Sequence, residues 1–164
     1  MKDFKYLFAY TVPVSVYISF VSPGVWTFTA VFYVFLILPG LDFLLGETKD
    51  NLSDQDVAYM KKKWVFDLML YLNFPIVFGL LYVVFSMYEV NGFTTFETIG
   101  LALSTGILLA TNGINVAHEL GHRSSYFERF ISKLLYMPCL YMHFYIEHNF
   151  GHHLHVATPN DGAT

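Results

Sequence analysis

The sequence contains little cysteine and little charge. Its 164 residues include one cysteine, Cys139, which excludes disulfides and cysteine-based zinc or iron–sulfur sites within the chain. Charged residues make up 13%, against about a quarter in average soluble domains. The formal net charge of −4 argues against a nucleic-acid partner. Hydrophobic residues make up 55%, more than a soluble core of this length needs, so the composition indicates a membrane protein with lipid around it.

Long apolar runs predict the fold class. Each run approaches the roughly 20 residues that cross a bilayer core. The short Ser22-Pro23-Gly24 segment joins the first two runs as a hairpin. We therefore predict an all-α, polytopic membrane helical bundle with a single domain over 1–164. Its four clear transmembrane helices are Phe4–Val21, Val25–Leu45, Trp64–Met87 and Ile99–Val116.

The basic residues predict the topology. With the N-terminus in the cytoplasm, all nine Lys and Arg fall on the cytoplasmic side. They are Lys2, Lys5, Lys49, Lys61, Lys62, Lys63, Arg123, Arg129 and Lys133. The loops Ser22–Gly24 and Tyr88–Thr98 on the other side contain none. The loop Gly46–Lys63 is predicted to be cytoplasmic, and so is the histidine-rich region after the fourth span.

The apolar stretch after the fourth span is too short to cross the membrane. Leu134–Ile146 has 13 residues, a length typical of interfacial or re-entrant segments. A crossing here would also separate His122 from His148 by the thickness of the bilayer. We predict one interfacial or re-entrant helix over Phe127–Ile146.

Two histidine motifs carry the chemistry. The first is His118-Glu-Leu-Gly-His122, which continues directly from the fourth span. Because residues i and i+4 share a helix face, both imidazoles can bind one metal. Thr111, Asn112 and Asn115 precede it, and polar groups at that depth indicate the lining of a site.

The second motif is Glu147-His148-Asn-Phe-Gly-His152-His153. His148 and His152 repeat the i, i+4 spacing, and His153 lies about 100° further round a helix, from where it can reach a second metal. Five imidazoles exceed the four ligands of one zinc, and imidazole suits iron, copper and zinc. Two adjacent metals are the economical interpretation.

The neighbouring polar residues have two interpretations each. His143 and His155 are either surface residues or groups that support the ligands, and not ligands themselves. Glu119 and Glu147 either orient ligand histidines through the second ring nitrogen or are simply exposed acids beside a positive site.

These strings resemble the AlkB-type alkane 1-monooxygenases, in the wider class of membrane fatty-acid desaturase-like di-iron proteins. The string His118 to Arg123 is similar to the family's first histidine box. The run from His143 to His153, continued by Val156-Ala-Thr-Pro159 and Asp161, is similar to the second and more specific box. Arg123 stands where the family usually has Lys, and Gly162 where it usually has Pro.

The resemblance implies the rest of the function. It implies a bacterial inner-membrane enzyme of six spans, whose two non-haem irons use O₂ and electrons from rubredoxin to hydroxylate n-alkanes at the terminal carbon. The implied iron ligands, and thus catalytic residues, are His118, His122, His148, His152 and His153. The family's third histidine box and last two spans are absent from these residues. We therefore expect the chain to be the N-terminal part of such an enzyme.

Three other functions fit part of the sequence. A desaturase or hydroxylase acting on fatty acyl chains has spaced histidine boxes, but at other spacings. The string His118-Glu119-x-x-His122 also matches a zinc metalloprotease, with Glu119 as general base. The second histidine motif argues against that alternative, because a protease needs one further ligand and not three histidines. A metal transporter would hold its ligands near the bilayer midplane and not at one face.

Overall fold

The structure is a computed structural model that describes residues 2–46 and 64–162, and every regular element in those ranges is helical. The predicted loop Gly46–Lys63 lies outside the described residues beyond Gly46. A 3₁₀ helix, Lys2–Tyr10, leads into α1, Thr11–Val21. The next helices are α2 (Gly24–Leu45), α3 (Trp64–Asn91), α4 (Thr95–Gly121) and α5 (Tyr126–Tyr136). The last, α6, consists of His143–Ile146, Glu147–His152 and His153–His155.

Among the described residues, three helices are long and apolar enough to cross a membrane. They are Gly24–Leu45, Trp64–Val90 and Thr95–Gly121, with 22, 27 and 27 residues. This confirms the prediction of a helical membrane bundle. The first predicted span, Phe4–Val21, is not one of the three: it forms the shorter apolar helix Tyr6–Val21. That helix ends where the backbone at Ser22 and Pro23 becomes extended.

The chain divides into two compact units, Met1–Leu108 and Leu109–Thr164. In the first unit, small residues let the helices approach closely. A Cβ at Gly100 of α4 would lie 2.2 Å from Thr27 Oγ1 and 2.8 Å from the Phe28 ring. Ser104 Oγ donates to the Thr27 carbonyl at 2.8 Å, and the Ala30 amide donates to Ser19 Oγ at 2.9 Å. Small residues and side-chain hydrogen bonds of this kind hold helices together in lipid, where apolar burial contributes little.

A capping box starts α4. Glu97 N donates to Thr94 Oγ1 at 3.3 Å, while Thr94 N donates to Glu97 Oε2 at 2.9 Å. This reciprocal pair satisfies amides that the first helical turn leaves without partners. The other Glu97 oxygen accepts from the amide of Gly24 at 2.7 Å, so one carboxylate fixes the starts of α4 and α2.

In the second unit, the C-terminal part of α4 packs on α5. Ser132 Oγ is buried and donates to the Ala117 carbonyl at 2.6 Å. A Cβ at Gly121 would lie 3.2 Å from Ser132 Oγ and 3.4 Å from the Tyr145 ring, so glycine permits this approach. These contacts fix the part of α4 that carries the first histidine motif.

The predicted continuous helix over Phe127–Ile146 is wrong in its middle. Helix α5 ends at Tyr136, and turns occupy residues 137–140. Pro138 has no amide hydrogen to donate, and Leu140 takes a positive φ of 54°, which no α-helix accommodates. The chain therefore enters α6 in a new direction, which the interfacial prediction did not anticipate.

Candidate metal centre

Helix α4 brings the first two histidines together. His118 lies in its last turn and His122 follows at its C-cap, as the i, i+4 spacing predicts. Their Nε2 atoms lie 3.1 Å apart. The opposite face is fixed by burial of Ala117, Leu120 and Gly121. His118 is half-buried and His122 exposed, so the pair sits at the edge of the packed surface.

In α6 the backbone changes which histidines share a face. Glu147–His152 is a π-helix, whose hydrogen bonds run from residue i to i+5. The turn is widened by one residue, so the partner of His148 is His153 and not His152. Their Nε2 atoms lie 3.0 Å apart. The predicted pairing of His148 with His152 assumed an ordinary α-helix, which the structure lacks here.

The two pairs converge on His148. Its Nε2 lies 2.6 Å from Nε2 of His118 and 3.2 Å from Nε2 of His122. The rings of His122 and His153 are 4.8 Å apart between centroids. The ligand atoms of His118, His122 and His148 all lie within 4.8 Å of one another, a group that is able to hold a metal ion.

The donor set fits a metal ion. Two imidazole nitrogens bound to one ion at about 2.0–2.1 Å stand about 2.8–3.4 Å apart at square or tetrahedral angles. The separations of 3.0, 3.1 and 3.2 Å match that range, and the 2.6 Å contact is somewhat shorter. Nitrogen lone pairs that converge in this way repel unless a proton or a metal lies between them. Imidazole ligands suit iron, copper and zinc, so the set alone does not select the element.

The electrostatics favour the neutral, ligating form of His148. Burial, together with the neighbouring rings of His118, His153, His122 and His152, lowers the pKa of His148 to about 4. At neutral pH this imidazole therefore carries no charge and has a lone pair available.

An aromatic wall supports the cluster. The Phe144 ring stacks on His148 at 4.8 Å and 14°, and Tyr141 stacks on Phe144 at 5.1 Å. Phe144 also contacts Tyr136, which is 1% exposed. The stacked rings restrict the orientation of His148 and cover one face of its imidazole. Sequence reasoning missed them, because the apolar stretch around Phe144 was interpreted only in terms of membrane depth.

His152 has a different partner. Its Nδ1 lies 2.9 Å from Oδ2 and 3.2 Å from Oδ1 of Asp161, whose side chain is 1% exposed. Its ring nevertheless lies beside the cluster, 5.6 Å from His148 and 5.5 Å from His153 between centroids. The sequence placed Asp161 in a motif but gave it no role, because contacts across a turn are not visible in residue spacing.

Of the two glutamates considered as orienting groups, Glu119 has another partner and Glu147 is exposed. The Glu119 carboxylate accepts from Arg123 Nη2 at 2.9 Å and from Nε at 3.2 Å. Glu147 is exposed. Of the other histidines, His143 is exposed and its ring contacts Tyr141 at 4.8 Å. The backbone carbonyl of His155 accepts from Thr158, and its ring is only half-buried.

Curated proteins match this chain over most of its length. An alkane 1-monooxygenase of Pseudomonas putida is 38% identical over 130 residues, which cover 78% of this chain and 32% of that protein. Alkane 1-monooxygenase 1 of Alcanivorax borkumensis is 38% identical over 130 residues, covering 78% of this chain and 31% of that protein. Alkane 1-monooxygenase 2 of the same organism is 29% identical over 172 residues, covering 100% of this chain and 45% of that protein.

The chain is similar to alkane 1-monooxygenases. The resemblance inferred from the histidine motifs is thereby confirmed, and the match lies in the N-terminal part of these proteins. The chain spans about a third of the length of the first two relatives. No family model matches it. The similarity to alkane 1-monooxygenases thus rests on the individual relatives and on the histidine cluster.

Proposed function

We propose that this chain is part of an integral-membrane, non-haem di-iron monooxygenase that hydroxylates the terminal carbon of n-alkanes. The observation that carries the proposal is the convergence of His118, His122 and His148 at Nε2 separations of 2.6–3.2 Å. His153 joins this group through its Nε2, which lies 3.0 Å from that of His148. Relatives named alkane 1-monooxygenase, at up to 38% identity, support the same activity. We treat 1–164 as part of one such oxygenase domain.

Five imidazoles are the proposed metal ligands of this chain. They are His118, His122, His148, His152 and His153. Five ligands on two neighbouring elements exceed what one tetrahedral ion takes, which favours two irons. The resemblance implies that further histidines, from a third box, complete the set.

The substrate dictates what the site must supply. An unactivated C–H bond offers no acidic proton, so acid–base groups alone do not break it. Bound iron would supply the redox chemistry that inserts one oxygen atom of O₂ into that bond, while two electrons from the electron donor and two protons reduce the other atom to water. The residues of this chain hold the imidazoles in place, and the Phe144 stack covers one face of the His148 ring. Three long apolar helices give the protein access to the lipid in which an alkane dissolves.

The distribution of basic residues supports a location for the active site, and the family resemblance implies a redox partner. All nine basic residues fall on one side of the predicted topology, which favours an inner-membrane protein with its active site at the cytoplasmic face. A cytoplasmic site is accessible to a soluble electron donor, and the family resemblance implies rubredoxin. Labelling of a cysteine introduced by Ser53→Cys, in a Cys139→Ala background, tests whether the loop Gly46–Lys63 is cytoplasmic. Labelling of intact cells by an impermeant reagent would overturn it.

The zinc-protease alternative is disfavoured by Glu119. A general base in His-Glu-x-x-His must face the metal-bound water. Here the Glu119 carboxylate accepts two hydrogen bonds from Arg123, and both groups are substantially exposed.

Product analysis tests the proposed reaction. The full-length gene product is expressed with rubredoxin and its reductase, supplied with n-octane and n-hexadecane, and its products are separated by gas chromatography. A 1-alkanol that is absent from the His148→Ala strain is the expected result. Unsaturated acyl chains with no alkanol would instead assign the protein to the desaturases. A metal content of one zinc per chain, in place of iron, would instead favour the zinc-metalloprotease alternative.

A further inference from the structure

Asp161 is a buried carboxylate in contact with one of the cluster histidines. Its side chain is 1% exposed, and both of its oxygens lie within 3.2 Å of His152 Nδ1. Burying a carboxylate is costly unless hydrogen bonds satisfy it. A carboxylate kept for solubility would be exposed, so the burial of Asp161 points to a role in its contact with His152.

Two turns bring Asp161 back to α6. The Thr158 amide donates to the His155 carbonyl at 2.9 Å, and the Asp161 amide donates to the Thr158 carbonyl at 3.1 Å. Within the first of these turns, Ala157 adopts a positive φ of 61°, which is uncommon for a residue with a Cβ. The backbone thus accepts an unfavourable conformation on the way to the contact between Asp161 and His152.

The chemistry of the pair fixes the tautomer of His152. An ionised carboxylate only accepts hydrogen bonds, so Nδ1 must carry the proton and Nε2 keeps its lone pair. Metals bind the nitrogen that carries the lone pair. The centroid of the His152 ring is 5.6 Å from that of His148 and 5.5 Å from that of His153, so the ring lies beside the cluster.

We propose that Asp161 is a positioning residue that holds His152 in the orientation and tautomer needed to bind metal. The inference rests on the proposed function, because it requires a metal centre at this cluster. The π-helix makes such a residue useful, because it pairs His148 with His153. Among the described contacts, His152 has no imidazole nitrogen within hydrogen-bonding distance. The Asp161 carboxylate orients His152 in place of the imidazole neighbour that an ordinary α-helix would have provided.

The competing role is purely structural, with Asp161 anchoring the turns at 156–161. The two roles differ in what Asp161→Asn changes. The Asn side chain has nearly the same shape and still accepts a hydrogen bond, so an anchor would largely survive. A positioning role would not, because a neutral amide orients the ring weakly and adds nothing to its basicity.

The test titrates Fe(II) into the detergent-solubilised, metal-free, full-length gene product, with a competing chelator reporting affinity. For Asp161→Asn we expect iron binding about 10–100-fold weaker, the usual cost of losing the partner that orients a ligand. The double variant with His152→Ala should bind no more weakly than His152→Ala alone, since both changes act through one ring. Glu119→Gln is the matched control, a carboxylate beside the first motif whose partner is Arg123, and it should bind iron as wild type does.

A second measurement is made on the wild-type protein and does not depend on how Asp161→Asn folds. Nitrogen-15 NMR of labelled histidines in the metal-free protein, with His152→Gln to assign the signal, reports which ring nitrogen carries the proton. An Nδ1–H tautomer at His152 supports the proposal.

Wild-type affinity in Asp161→Asn, additive losses in the double variant, or an Nε2–H tautomer would each overturn the role of Asp161 while the proposed function stands. Failure of the wild-type protein to bind iron at all would instead overturn the proposed function, and this inference with it.

Discussion

The two units of the chain use polar groups in opposite ways. In Met1–Leu108 they serve packing, as when Ser19, Ser104 and Glu97 bond the backbone of neighbouring elements. In Leu109–Thr164 they converge on one another, and nitrogen faces nitrogen. A hydroxyl that bonds a carbonyl needs nothing more. A set of imidazoles with converging lone pairs is satisfied by a metal. The comparison predicts that substitutions of the packing groups in the first unit change stability, whereas substitutions of the clustered histidines in the second unit change metal content.

The largest expected effect follows from His148→Ala. This ring is the common neighbour of His118, His122 and His153, so its loss removes the centre of the cluster. We expect iron, measured by mass spectrometry per chain, to fall to background and alkanol formation to stop. His143→Ala is the control, because this histidine is exposed and its ring contact is with Tyr141. Iron retained at the wild-type level in His148→Ala would refute the ligand assignment.

The next effect sharpens the other side of the comparison. Gly100→Val places a side chain where a Cβ alone would meet Thr27 Oγ1 at 2.2 Å. Overpacking of this kind costs about 1–3 kcal/mol, and the melting temperature in detergent should fall accordingly. Iron affinity of the protein that remains folded should not change. Gly106→Val, where nothing lies within 4 Å of the added Cβ, is the control for valine in this helix. An equal loss in both variants would mean that helix propensity, and not close packing, sets the cost.

How much of this the sequence predicts depends on the kind of contact. The long apolar helices and the pair His118 and His122 follow from composition and α-helical spacing, and both appear as expected. The partner of His148 does not follow, because the π-helix Glu147–His152 shifts the face by one residue. The residue types in that segment do not predict a π-helix. Nor does spacing reveal Asp161, which turns after α6 bring to His152.

The start of α4 provides a smaller effect. Thr94→Ala removes the hydroxyl that accepts from Glu97 N and donates to Glu97 Oε2. Loss of such a cap typically costs about 1 kcal/mol, seen as a lower melting temperature. Thr95→Ala serves as the comparison, since Thr95 is exposed and lies one residue further into the helix. If both variants melt together, the capping box contributes nothing to stability.

The smallest effect tests whether a hydrogen bond next to the metal cluster contributes only to packing or also to metal binding. Ser132 Oγ donates to the Ala117 carbonyl at 2.6 Å, one residue before His118, and both residues are buried. The hydroxyl has no solvent to replace this bond, but the Ala117 carbonyl retains a second lone pair for its helical partner. Ser132→Ala should therefore cost only about 0.5 kcal/mol of stability, the low end of the usual net value of one hydrogen bond. Because the backbone at Ala117 carries His118, we also expect a small weakening of iron binding, measured by the same chelator competition. Ser124→Ala, at an exposed position between α4 and α5, should change neither quantity. Reduced stability with unchanged iron affinity would place Ser132 with the packing serines of the first unit, and would show that His118 keeps its position without this contact.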